Sequence, residues 1–295
     1  MSEVVASAVT IGSFDGVHRG HQAVIAHLRD CAEVLGVEPV VVTFDPLPRE
    51  FLHGADAPPR IQTVDDRFVA LAAAGIRNVA CMDFDDALAA LDARGFVEEI
   101  LVRWLHVQAV IVGDDFRFGY QRSGDLEILR ALGNEHGFTV ASSPTLEADG
   151  ERISSTRIRT ALAAGDIATA AALIGRPYVV SGAVMRGNAL GRKLGFPTAN
   201  LIPGVQLALA EGSYAARVRI GDVDEWRPAA VYWANDTLEA HLLSFSGDLY
   251  GVRLQVEFER FVRAHEKMTD LKRLRDAIAA DVDEIAAHGR RSHNP

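Results

Sequence analysis

An α/β domain built on a mostly parallel sheet, followed by a small antiparallel β domain (barrel or sandwich) with a terminal helix, is the architecture this sequence predicts. Three patterns lead to it. Short Val/Ile-rich runs alternate with amphipathic stretches through the first half, period-two alternation takes over after Arg176-Pro177, and an apolar stripe at helical spacing comes near the end. Strand–helix alternation buries a parallel sheet beneath helices, and period-two segments with Gly-rich connections mark antiparallel strands.

The elements follow in order. Val4 to Ile11, Pro39 to Phe44, Val79 to Met82 and Ala109 to Val112 read as strands bounded by turn residues. Between them, Gln22 to Gly36 places Val24, Ile25, Leu28 and Leu35 on one face with Gly36 as the stop, and Asp65 to Gly75 and Ala93 to Leu105 repeat the helical pattern. Ligands of such sheets bind beyond the C-terminal ends of the strands. Further on, Tyr214, Ala216, Val218 and Ile220 alternate with more polar positions, as do Leu254, Val256 and Phe258. Leu271, Leu274, Ile278, Val282 and Ile285 form the stripe of a helix packed on the β domain. The change of texture sets a boundary near residues 175–182, giving domains 1–178 and 179–295. The Arg/His-rich tail from Gly289 is expected to fray.

Composition excludes several classes. The chain has 295 residues, 48% apolar and 24% charged, as expected of a globular protein. Its apolar runs are broken well short of the roughly 20 residues that span a bilayer. The start carries Glu3 and no basic segment, so no secretory signal is expected. Cys31 and Cys81 are isolated, which fits a reducing cytoplasm rather than a disulfide framework. A formal charge of −10 argues against general nucleic-acid binding. It leaves small anionic ligands, held by a few local donors, as the expected partners. A homo-oligomer is compatible with this reading.

Two constellations carry chemistry. The first, Gly12-Ser13-Phe14-Asp15-Gly16-Val17-His18-Arg19-Gly20-His21, joins the first strand to the first helix. Glycines there let backbone approach a ligand, and the helix start offers N–H groups and positive dipole character suited to phosphate. His18 and His21 can donate to charge growing on a phosphate during transfer. Each alone reads as a capping or surface residue, and neither Cys nor carboxylate completes a metal site. Ile153-Ser154-Ser155-Thr156-Arg157-Ile158-Arg159 opens a later helix. There, hydroxyls, N–H groups and a guanidinium can hold pyrophosphate, although Ser-Ser-Thr by itself is an ordinary N-cap. The second constellation is Gly191-Arg192-Lys193-Leu194-Gly195-Phe196-Pro197-Thr198-Ala199-Asn200. Thr198 and Asn200 offer hard oxygen donors of the kind Mg²⁺ takes, with a β-turn as the alternative reading.

His-x-Gly-His followed by Ile-Ser-Ser-Thr-x-x-Arg resembles the nucleotidylyltransferase superfamily. The longer Gly-x-Phe-Asp-Gly-x-His-x-Gly-His is similar to the bacterial bifunctional riboflavin kinase/FAD synthetase family, as is the segment Val112 to Gly119. The resemblance implies a Rossmann-like nucleotidylyltransferase domain that transfers AMP from ATP to FMN, releasing FAD and pyrophosphate. It implies that Gly12, Phe14, Asp15 and Gly16 cradle ATP and that His18 and His21 stabilise the α-phosphate. Ser155, Thr156 and Arg159 would hold the β- and γ-phosphates, and Asp115 and Phe118 would contact the flavin. Core packing is the alternative for Phe116 and Phe118. Gly182 to Val184, Gly187, Gly191 to Asn200, Leu238 to Leu243 and Gly247 to Gly251 resemble the riboflavin kinase module, a six-stranded barrel with a terminal helix. By that resemblance Gly191 and Gly195 approach ATP, Thr198 and Asn200 bind Mg-ATP, and Glu239 takes the proton of the riboflavin 5′-hydroxyl.

The chain departs from the family in three places. Leu47 replaces the His of the Phe-x-Pro-His-Pro that usually follows the second strand, and Ser244 replaces a common Asp. A Gly-x-x-Pro-Thr-Phe loop expected before Glu239 is absent, since Ala229 to Thr237 runs almost directly into it. The missing loop predicts kinase activity that is weakened, lost or redirected, because misalignment of about an ångström costs on the order of a hundredfold in rate. Two other readings remain: a nucleotidylyltransferase for a different phosphate-bearing acceptor, and a flavin-binding regulatory protein with a degenerate kinase half.

Overall fold

The computed structural model describes residues 6–187, 190–221 and 223–291. The start of the first expected strand and the end of the fraying tail lie outside them. In chain order the elements are β1 (Ser7–Ile11), α1 (Arg19–Leu35), β2 (Glu38–Phe44), α2 (Pro48–His53), α3 (Val64–Ala73), β3 (Asn78–Met82), α4 (Asp86–Ala89), α5 (Ala93–Phe96), β4 (Val107–Gly113), α6 (Leu126–His136), β5 (Thr139–Ser143), β6 (Glu147–Ala148) and β7 (Glu151–Arg152). They continue with α7 (Ser155–Ala163), α8 (Ile167–Ile174), β8 (Tyr178–Met185), α9 (Leu190–Leu194), β9 (Ala199–Leu201), β10 (Gly212–Ile220), β11 (Trp226–Ala234), β12 (Thr237–Leu242), β13 (Arg253–Ala264) and α10 (Leu271–Arg291). Two compact units result: residues 1–58 with 67–154, and 59–66 with 155–295.

In the first unit five strands run in the order β3-β2-β1-β4-β5, with all four neighbouring pairs parallel. Because a side-chain period of two sends alternate residues to opposite faces, β1 feeds two cores. Val9 and Ile11 join Val40, Val42, Val110 and Val112 under Phe96, Leu101 and Leu129. Ala8 meets Val41, Ala109 and Ile111 beneath Ile25 and Leu28 of α1. Strand order reverses between β1 and β4, and that crevice is where open α/β sheets bind ligands.

Some elements differ from the expected ones. Leu35 is 42% exposed, and Ala32 takes its place beside Ile25 and Leu28. Gly36 does end α1, in the left-handed region at φ 67°. The helical stretch from Ala93 is α5 continued by a wider π-turned segment, Val97–Trp104. Strand β5 has no counterpart among the expected elements, since Thr139–Ser143 is polar and only partly buried.

The second unit holds a closed six-stranded barrel in the order β10-β11-β12-β9-β8-β13. Tyr214, Ala216 and Val218 fill it with Leu254, Val256 and Phe258, as the alternation predicts. On the outside Ala215 and Ala230 are small enough for α10 to lie close, and Ile285 and Val282 pack against them. At the far end of the α10 stripe, Leu271 is exposed instead. Helices α7 and α8 belong to this unit, and α8 packs on β8 and β13.

Candidate functional site

In the first unit the turn after β1 is held in an unusual backbone shape. Phe14 and Val17 have φ of 48° and 38°, and Gly16 between them has φ 89°. Left-handed backbone costs a non-glycine residue about 1–2 kcal/mol, so this turn is held by its surroundings. Phe14, Asp15 and Val17 are all buried. Arg67, also buried, donates from Nη1 to Ser13 O at 3.0 Å and to Thr43 Oγ1 at 3.3 Å, and Thr43 Oγ1 donates to Ser13 O at 3.1 Å.

The turn delivers both imidazoles to the start of α1. His18 is the N-cap, and its Nδ1 accepts the His21 N–H at 3.3 Å. That acceptor role leaves the proton of a neutral His18 ring on Nε2, a donor for a phosphate oxygen. The two rings stack, with centroids 3.6 Å apart and planes 16° apart, and Phe14 lies 5.0 Å from His21. Gly20 permits this: a Cβ there would stand 3.1 Å from His18 Cε1. A Cβ on Gly12 would likewise crowd the Phe14 ring at 3.2 Å.

Asp115 and Phe118 follow β4, across the switch point. The Arg152 guanidinium, 2.6 Å from Asp115, holds its carboxyl below the usual carboxylate range. Phe118 is 7% exposed and stacked on Phe116 at 5.4 Å, with Phe96 at 5.8 Å. Its backbone pairs with Gly124 in both directions. Leu47 is buried, and its N–H donates to Glu50 at 2.8 Å.

Ser155, Thr156 and Arg159 sit in the second unit, in the first two turns of α7. Thr156 is exposed, and Arg159 Nε donates to Pro59 O at 2.7 Å.

The barrel brings the second constellation together. On three adjacent strands Asn200, Glu239 and Tyr232 are register partners in a row, and directly opposed residues share a face. Thr198 Oγ1 donates to Glu239 Oε2 at 3.3 Å. His241 Nδ1 donates to Pro197 O at 2.8 Å, which fixes the chain just before Thr198. Glycines make room around these donors. A Cβ on Gly191 would stand 2.4 Å from Phe196 O and 3.1 Å from Thr198 Oγ1, and one on Gly187 would overlap the Asn200 amide at 2.6 Å. Gly195, at φ 92°, turns the chain out of α9. Thr198, Tyr232 and Glu239 line a cavity of about 280 Å³, bounded also by α9 and by Leu274, Ile278 and Asp281 of α10. Tyr232 was not legible as a site residue; only its register with Glu239 reveals it.

The hydroxyl, amide and carboxylate oxygens of Thr198, Asn200 and Glu239 suit a hard cation such as Mg²⁺. Among the described residues, the one group of three His, Cys, Asp or Glu ligand atoms is Glu98, Glu135 and His136. Arg94 engages it, bridging Glu135 at 2.7 and 2.9 Å and Glu98 at 3.2 Å.

The loop expected before Glu239 is replaced by two residues. Ala234 pairs with Thr237, and Asn235 and Asp236 between them have φ of 49° and 55°. Two left-handed residues make the tight hairpin turn that Asn and Asp favour.

A strand-order switch presenting paired imidazoles, joined in sequence to a closed barrel with a Thr–Glu cavity, defines a two-part nucleotide-using transferase. Residues 2–157 match the FAD synthetase family and residues 174–288 the riboflavin kinase family. A bifunctional riboflavin kinase/FMN adenylyltransferase of Pseudomonas fluorescens is 44% identical, covering 92% of this chain and 90% of its own. The protein of the same name in Escherichia coli K12 is 38% identical over 92% and 90%. A solved structure from Streptococcus pneumoniae, titled macrolide-efflux protein, is 28% identical with a TM-score of 0.77, covering 94% and 93%. The chain belongs to the bifunctional riboflavin kinase/FMN adenylyltransferase family. Among the described residues, no helix is long and apolar enough to cross a membrane.

Proposed function

We propose that this chain is a cytoplasmic enzyme that makes FAD from FMN and ATP in its N-terminal part and phosphorylates riboflavin, more slowly, in its barrel. The observation that carries the first activity is the His18–His21 stack at the mouth of the sheet, between β1 and β4. In adenylyl transfer a phosphate oxygen of FMN bonds to the α-phosphorus of ATP while the bond to pyrophosphate breaks. Negative charge grows on the non-bridging oxygens, and N–H donors fixed beforehand stabilise it without reorganising. His18 Nε2–H and the His21 ring are assigned that role, with Gly12, Phe14, Asp15 and Gly16 shaping the turn that carries them. The family resemblance assigns Ser155, Thr156 and Arg159 to the β- and γ-phosphates and Asp115 and Phe118 to the flavin.

Replacing His21 with Ala tests this. FAD formation from FMN and ATP, resolved chromatographically, is expected to fall by about 10²-fold or more, with the fold retained. Near-parent turnover would remove the mechanism. Product formed from another phosphate-bearing acceptor but not from FMN would favour the rival nucleotidylyltransferase reading.

For the barrel, Glu239 is assigned as the base. It takes the proton from the riboflavin 5′-hydroxyl as that oxygen bonds to the γ-phosphorus and ADP departs. Thr198 and Asn200 would hold Mg²⁺, which neutralises phosphate charge when bound. The two-residue turn at Asn235-Asp236 supports a rate below that of adenylylation. Riboflavin phosphorylation as fast as FAD formation would defeat that ranking. Riboflavin binding without any FMN product would favour the degenerate, flavin-binding reading of this half.

A further inference from the structure

The cavity beside Glu239 has a wall that the short β11–β12 turn does not provide. After β13 the chain crosses from His265 to Asp270 before α10 begins, and His265, Glu266, Lys267 and Met268 line the cavity. This strap is tied at both ends. His265 N–H donates to Glu211 O at 2.9 Å. Two residues earlier, Arg263 grips Asp281 of α10, with Nε at 2.9 and 3.1 Å and Nη2 at 2.9 Å. At the far end Asp270 Oδ1 accepts the N–H groups of Lys272 and Arg273 at 2.7 and 3.1 Å, and Arg273 also pairs with Glu266 at 2.5 Å.

From the barrel floor one side chain reaches up to this strap. Tyr232, the register partner of Glu239, has its hydroxyl 2.5 Å from His265 Nδ1. Burial pushes the Tyr232 phenol above its ordinary value, so the phenol stays protonated and shares one hydrogen bond with the ring nitrogen. The Arg263 guanidinium lies 6.0 Å from the Tyr232 ring centroid, within cation–π range. Glu211 links strap to hairpin, because its carboxylate accepts the Asn235 N–H at 2.9 Å while its carbonyl holds His265. The shortened turn and the strap therefore share an anchor.

We infer that Tyr232 and His265 form a clasp that keeps the strap of residues 265–270 closed over the cavity, making Tyr232 a positioning residue for the flavin acceptor. The inference rests on reading the barrel as a riboflavin kinase. It supplies an enclosure in place of the absent loop. A strap released from Tyr232 leaves the Thr198–Glu239 contact untouched, so the loss falls on retention of the acceptor and not on the chemical step.

The test uses the full chain with Tyr232→Phe, which keeps the ring and removes only the hydroxyl, with His265→Ala, and with both together. Riboflavin affinity is read by fluorescence titration, alongside KM and kcat for phosphorylation. A neutral hydrogen bond accounts for about a five- to tenfold change in affinity, so each single variant is expected to weaken riboflavin by that factor. The double variant should weaken it no further than either single variant, and kcat should stay within about twofold. FAD formation from FMN should stay at the parent rate, which separates clasp loss from unfolding. Unchanged affinity in Tyr232→Phe, or single losses that add in the double variant, would overturn the clasp. A fall in kcat with affinity unchanged would do the same. Failure of the kinase reading looks different: the parent binds riboflavin but forms no FMN, and the affinity comparison still decides the clasp. A parent that does not bind riboflavin overturns both.

Discussion

A hydrogen in place of a methyl group at Gly20 sets the geometry of the stacked imidazoles. The His18 ring lies along the helix start where a Cβ at Gly20 would stand 3.1 Å from Cε1 and 3.2 Å from Nδ1. Gly20→Ala favours the helix on propensity by less than the roughly 1 kcal/mol of an interior position, since Gly20 is the second residue of α1, yet it must displace the His18 ring by a few tenths of an ångström. Expected are a melting temperature at or above the parent's and FAD formation reduced about tenfold, in keeping with the sensitivity of transfer steps to small misplacements. Unchanged turnover would mean that the stacked pose is not the working one. Asp115 presents the opposite case, an electrostatic contact with little energetic weight. Its folded pKa is depressed, so its contribution is present above the ordinary value of 3.8 and is lost as pH falls through the lower folded value. With 58% of its side chain exposed, solvent screens the pair with Arg152. Asp115→Asn should therefore change acid-limb stability by well under about 1 kcal/mol, measured by urea midpoints between pH 2 and 7. Any large effect of this substitution should appear in flavin affinity instead. The motif residues were legible because their types are chemically restrictive: two His bracketing a Gly after a strand have few structural uses. Tyr232 was not legible, since an aromatic on a strand is normally wall or core, and its meaning comes only from facing Glu239.

Among the elements, the β11–β12 hairpin best shows what sequence alone could and could not give. The missing loop was plain from chain length between Ala229 and Glu239, but the turn that replaces it depends on two residues accepting left-handed backbone. Asn235 and Asp236 do so at φ 49° and 55°. Asp236→Gly yields the Asn-Gly pair preferred in such turns and should stabilise the barrel by about 0.5 kcal/mol, the relief of left-handed strain exceeding the added entropy of the unfolded chain. Asp236→Val, branched at Cβ, should destabilise it by about 1–3 kcal/mol. Opposite shifts in the denaturation midpoint check the pair; two shifts of one sign would contradict the turn. Elsewhere, the inner strands β2, β1 and β4 were legible because a parallel sheet covered on both faces is rich in Val and Ile. Strand β5 was not, because an edge strand covered on fewer sides tolerates Thr139 and Ser143. Period-two reading also predicted a polar outer face for β10, whereas Ala215 is buried beneath α10. Small residues on an outer face mark close helix approach, a signal that hydrophobic periodicity alone passes over.

At the scale of the whole chain, the proposed reading puts the adenylyl imidazoles in the first unit and the kinase base in the barrel, and the independence of the two can be tested by crossing variants with assays. Glu239→Gln keeps the shape of the side chain and an oxygen to accept the Thr198 hydroxyl now 3.3 Å away, so the barrel should fold as before. What it removes is the ability to take a proton at neutral pH. General-base catalysis is worth about 10²–10⁴-fold, and riboflavin phosphorylation should fall by that order. FAD formation from supplied FMN should not change, because Glu239 lies in the barrel and the paired imidazoles lie in the first unit. His21→Ala should give the mirror result, with FMN made from riboflavin at the parent rate and accumulating because it is no longer adenylylated. The informative measurement starts each variant on riboflavin and again on FMN, and follows all three flavins in time. Independent halves predict that Glu239→Gln stalls at riboflavin and is rescued fully by FMN, whereas His21→Ala stalls at FMN from either start. A fall in FAD formation from FMN in Glu239→Gln would instead require energetic coupling between the halves, because no group of the adenylyl chemistry has been altered in that variant.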